Sequence, residues 1–93
     1  MERDELRSVL DDAYDADDAA LQVVTRQARD LADSGLIERD LGVTVSPEWL
    51  VTELSDAPDG HDLVDRWNWW IGSLDLSHGG YEQFRVQRWA TEE

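Results

Sequence analysis

Hydrophobic positions along the chain recur mostly at helical spacing. The clearest case is Asp62 to Leu76, DLVDRWNWWIGSLDL. At about 100° per residue, Leu63, Val64, Trp67, Trp70, Ile71 and Leu74 fall within an arc of about 120°, the width of a core-facing stripe. Asp62, Asp65, Arg66 and Ser73 fall outside it, so the spacing predicts a helix over 62–76. Trp69 departs from the stripe, and Gly72 lies beside it on the outer face. Glycine inside a helix costs about 1 kcal/mol against alanine, which asks for a reason. One is close approach of another backbone with Trp69 packed alongside; the other is an exposed aromatic patch for a partner.

The same period marks three further helices. Leu6, Val9, Leu10, Ala13 and Tyr14 share one face, and Ala20, Leu21, Val24, Ala28 and Leu31 share another, in phase with it. A single helix from 3 to 33 would be about 46 Å long, whereas a domain of this size is roughly 32 Å across. Asp15, Asp17 and Asp18 supply the break, aspartate being a poor interior residue and a good N-cap. Helices at 3–13 and 17–33 follow, the second closed by Gly35. Ser46-Pro47-Glu48 starts a helix over 47–57, which turns Leu50, Val51, Leu54 and Ala57 inward and leaves Trp49 off the stripe.

Two segments read differently. Val43, Thr44 and Val45 are β-branched and short. Tyr81 to Ala90 alternates, with Phe84 and Val86 on one face and Tyr81, Arg85 and Trp89 on the other. The expected class is therefore α+β: four helices and a small antiparallel sheet of two or three strands, from 42–46 and 81–90, Leu36–Glu38 being the candidate third.

Composition narrows the setting. The 93 residues predict one domain spanning 1–93, and there is no cysteine, hence neither disulfide nor thiolate metal site. No run approaches the roughly 20 apolar residues of a membrane span, and MERDELRS does not read as a signal peptide, so the expected location is cytoplasmic. Twenty-two acidic residues oppose eight basic ones, for a net charge of −14, and all eight are arginine. Solubility asks for a magnitude of only about 2–8. At about 0.15 M salt these carboxylates repel over a Debye length near 8 Å; at molar salt that falls to about 3 Å. An acidic, lysine-free composition resembles that of cytoplasmic proteins from salt-in halophilic archaea. The resemblance covers the whole chain and implies habitat, not activity.

Candidate chemistry is thin. His61 and His78, with Asp62 and Asp75 adjacent, are metal-ligand types, but a helix between them separates them by about 20 Å or more, so no metal site is expected. His78-Gly79-Gly80 is similar to the oxyanion turns of some hydrolases, without any G-x-S-x-G elbow to go with it. Carboxylate pairs mean little among 22. No cofactor signature is present, and an enzyme is the least favoured reading.

Two binding readings remain. Trp69, Trp49, Trp89 and Tyr81, with Arg85 and Arg88, are the residue types that anchor protein interfaces, and a protein-interaction or regulatory module, monomeric or weakly dimeric, leads. The alternative is a winged-helix-like nucleic-acid binder using Arg85, Arg88 and Arg66, the only local basic cluster visible in the sequence. Its recognition helix, PEWLVTELSDA, would carry three acidic residues and no basic one.

Overall fold

The first two helices form a hairpin where the aspartate cluster interrupts the in-phase stripes. In the computed structural model, which describes residues 2–86, α1 spans Arg3–Tyr14 and α2 spans Asp18–Ser34. Asp15 takes the left-handed conformation (φ 50°), ending α1, and the Asp17 carboxylate accepts from the Ala20 N–H at 2.8 Å to start α2. Gly35, at φ 77°, closes α2. The short α3 (Leu36–Leu41) follows at once, then α4 (Pro47–Leu54), capped by Ser46, and α5 (Leu63–His78), capped by Asp62. A 3-10 turn at Glu82–Phe84 leads into the extended Arg85 and then Val86. The principal extents are 34 × 27 × 23 Å, too short for the unbroken rod.

The bundle closes on α5. Leu63, Val64, Trp67, Trp70, Ile71 and Leu74 are all buried, in one core with Leu6, Leu10, Val24, Leu31, Leu50 and Leu54. Trp67 and Trp70 pack with centroids 5.4 Å apart, and Trp49 meets Trp70 edge-on at 5.8 Å. Each such buried side chain contributes roughly 1.5–3 kcal/mol of transfer free energy. At the far end, Tyr14 donates to the Val51 carbonyl at 2.7 Å. Arg66 lies over the Tyr14 ring and donates to Leu54 O, the last carbonyl of α4. That carbonyl also accepts from the Ala57 N–H at 3.2 Å, and the cation adds charge where the helix dipole is negative.

The described residues contain no strand, so the α+β expectation is overturned: the fold is all-helical. Leu36–Glu38 lies in α3. Residues 42–46 connect α3 to α4, with Gly42 left-handed, Val43 and Val45 half-buried against the core and Thr44 exposed, and they form no ladder. Tyr81–Val86 is a turn followed by the extended Arg85 and by Val86, and 87–90 lie outside the described residues. Alternation of period two reports extended backbone with one face inward. It does not report what the backbone groups bond to.

Tyr81 shows how the final turn is held. It is fully buried, and its hydroxyl donates to Asp40 Oδ2 at 2.7 Å, tying the turn to α3. Burial first, and the Asp40 carboxylate second, push its pKa up to about 12. Hydrogen bonds from Arg39 and then Tyr81 hold the Asp40 carboxyl down at about 2. A raised tyrosine pKa means stability complete below the unfolded value near 10 and lost as pH rises toward 12. In alkaline titrations of unfolding free energy, wild type should lose stability across that window, and Tyr81→Phe should show a flatter limb there.

Candidate functional site on α5

The four residues Trp67-Asn68-Trp69-Trp70 look in four directions, because successive helical positions are about 100° apart. Trp67 and Trp70 enter the core. The Trp67 indole N–H donates to the Phe84 carbonyl at 2.8 Å, and that of Trp70 to Glu53 at 3.3 Å. Asn68 faces the end of the described chain: its Nδ2 donates to Val86 O at 3.0 Å and its Oδ1 accepts from Val86 N–H at 2.8 Å. A primary amide that takes both groups of one residue does for it what a neighbouring strand would do. Gln27 on α2 adds a bond to Arg85 O at 3.2 Å, and turn bonds hold the Phe84 and Arg85 N–H groups. All six backbone polar groups of residues 84–86 are thus bonded, four of them by side chains. These are the partners that a sheet was expected to supply.

Trp69 takes the outward position. It is 37% exposed, and Leu76, one heptad on, is 91% exposed; they are the two exposed large hydrophobic residues among those described. Between them lie Gly72 and Ser73. An open groove of about 770 Å³ runs along this face, and Trp69, Gly72, Leu76, Asp65, Asp75 and Arg85 are among the residues that line it, with His61 and Asn68. Arg85 stands over Gly72. A Cβ there would stand 2.9 Å from Arg85 Nη2, so what approaches the glycine is a guanidinium rather than a backbone. Arg85 is also 3.3 Å from Glu82.

The other residues singled out in the sequence lie elsewhere. Trp49 is half-buried against Trp70, Tyr81 is fully buried, and Trp89 and Arg88 lie outside the described residues. Arg66 is engaged with Tyr14 and Leu54, on a different face of α5 from Gly72 and its Arg85 neighbour, so Arg66 and Arg85 do not form one basic surface. His61 and His78 stand before and at the end of α5, separated by a helix of about 24 Å. Asn68 and Gln27 were missed because uncharged amides on a helix carry no spacing signal. Leu76 was missed although the same period sets it about 140° from Leu63, on the face of Trp69.

A family model for the WNWW domain matches residues 1–75, four-fifths of the chain, and takes in all four residues of the motif. The chain belongs to the WNWW domain family. No curated protein and no solved structure matches it. In this WNWW domain the motif divides into two core tryptophans, one backbone-holding asparagine and one outward tryptophan. The residues that Asn68 grips lie beyond the matched stretch.

Substitutions separate these roles. Trp67→Ala should cost about 3–5 kcal/mol in chemical denaturation. Asn68→Leu should cost about 1–3 kcal/mol, because it orphans both groups of Val86. Gly72→Ala should lie between neutral and about 1 kcal/mol stabilising, since only the flexible end of Arg85 must yield. A large loss for Gly72→Ala would contradict the guanidinium contact.

Proposed function

We propose that this WNWW domain is a non-catalytic protein-interaction module, and that the α5 groove receives an apolar, basic helix from another protein. The observation that carries the reading is the pair Trp69 and Leu76, exposed one heptad apart with Gly72 and Ser73 between them. Anchors at that spacing suit a helix laid along a groove, and the small residues between them admit its backbone. Charge gives the partner its sign: the chain carries −14 overall, and the groove lining sets two aspartates, Asp65 and Asp75, against one arginine, Arg85. Repulsion at that charge is screened at high salt, so the module is suited to a salt-rich cytoplasm, where apolar anchors keep their strength and long-range ion pairing does not. No helix among the described residues is long and apolar enough to cross a membrane.

The test is site-specific photo-cross-linking from position 76, with lysate kept at high salt. The expected product joins the domain to a different polypeptide with a basic, apolar helix, and Trp69→Ala removes it while costing only about 1–2 kcal/mol of stability. A product containing two copies of this chain, or labelling no different from that at exposed Asp33, would sink the reading. In parallel, the denaturation midpoint of the free domain should rise from dilute buffer to molar KCl; an unchanged midpoint would contradict the salt argument.

A further inference from the structure

The structure gathers a second basic cluster that the sequence disperses. Arg3 and Arg7 on α1 and Arg26 and Arg29 on α2 line a cleft of about 500 Å³, together with Gln22, Thr25, Asp4 and Asp30. Half of the chain's eight arginines thus meet in one place, against two of its 22 acidic residues, for a lining charge of four minus two, or +2. In a chain of net −14 this is a local reversal of sign. Helical spacing produces it: Arg3 and Arg7 are four apart, and Arg26 and Arg29 three apart, so each pair shares a face.

The cations are unevenly engaged. Arg7 is bonded to Asp18, and Arg3 lies 3.8 Å from Asp4 with both well exposed. Arg26 and Arg29 have no ion-pair partner among the described residues. Two buried polar atoms belong to residues of the cleft wall. Thr25 is 2% exposed, yet its hydroxyl has no hydrogen-bond partner, not even the preceding-turn carbonyl that helical threonines commonly use. The Nε of Arg29 is buried and unpartnered as well. Native structures leave few such groups unsatisfied; both lie just under the cleft wall, and an acceptor oxygen in the cleft meets them once the covering side chains move aside.

We propose that the α1–α2 cleft binds a small, multiply charged phosphate compound, held by Arg26 and Arg29 with the Thr25 hydroxyl as donor. Planar guanidinium forks match phosphate oxygens two at a time. The cleft is of the size that ordinary small-molecule sites have, larger than one orthophosphate needs. With Arg26 and Arg29 outside any ion pair among the described residues, attraction grows with ligand charge, which favours a diphosphate or triphosphate over a monovalent ion. This site shares no residue with the α5 groove, so the two readings stand or fall separately.

Pyrophosphate is the probe, titrated calorimetrically into the full chain at about 0.15 M KCl, with ATP and duplex DNA as parallel arms. Saturable one-to-one binding of pyrophosphate or ATP is expected. The double variant Arg26→Gln with Arg29→Gln should weaken it by about tenfold or more. Arg26→Lys with Arg29→Lys, which keeps the charge and loses the fork, should fall between. Thr25→Val should weaken binding severalfold while leaving the melting temperature equal or higher, since it removes an unpaired hydroxyl at constant shape. Absence of saturable binding to wild type, affinity indifferent to both arginine pairs, or binding of DNA without either small ligand would overturn the proposal.

Discussion

Capture of an extended segment by side chains, rather than by another strand, is the interaction on which the rest of this fold turns. Once Trp67 is buried, its indole N–H must find an acceptor, and Phe84 O supplies one. That bond draws residues 84–86 across α5, where Asn68 and Gln27 complete the backbone's requirements and Phe84 and Val86 join the core. Arg85, between two buried neighbours, is left pointing outward over Gly72. The wall of the α5 groove is therefore a product of the interior packing. The same helix surface that organises the core also positions the residues available to a partner.

Charge is distributed with similar economy. Most of the acidic excess is spread over exposed helix faces, where it needs only screening, while four arginines face each other across the α1–α2 hairpin. Uniform acidity would leave the domain indifferent to anions of every kind. A positive recess inside a negative shell instead gives directionality to the field, with multivalent cations drawn to one region and multivalent anions to another.

The helical part of this architecture was legible in the chain. The stripe of Leu63, Val64, Trp67, Trp70, Ile71 and Leu74 is buried as its period requires, and Asp17, Gly35, Ser46 and Asp62 cap helices as their chemistry suggests. The alternation at Phe84-Arg85-Val86 also reported the right faces. What it could not report was the hydrogen-bond partner, because an amide side chain and a strand edge satisfy the backbone equally well. Tyr81 was misassigned to the outer face because the 3-10 turn at 82–84 breaks the period of two. The arginine cleft was hidden for a different reason: Arg3 and Arg29 are far apart in sequence and meet only because the Asp15–Asp17 break folds α2 back along α1.

Anchoring by side chains also shapes how the domain comes apart. Four of the six bonds on residues 84–86 come from two amides and one indole and the other two lie within the turn, so this segment can lift away without breaking a backbone hydrogen bond of α2 or α5. Its amide protons should then exchange with solvent through a local opening of their own, ahead of the helical bundle. Such an opening would bare the edge of Trp67 and release Arg85 from above Gly72, turning the groove from a fixed relief into a surface with a hinged margin.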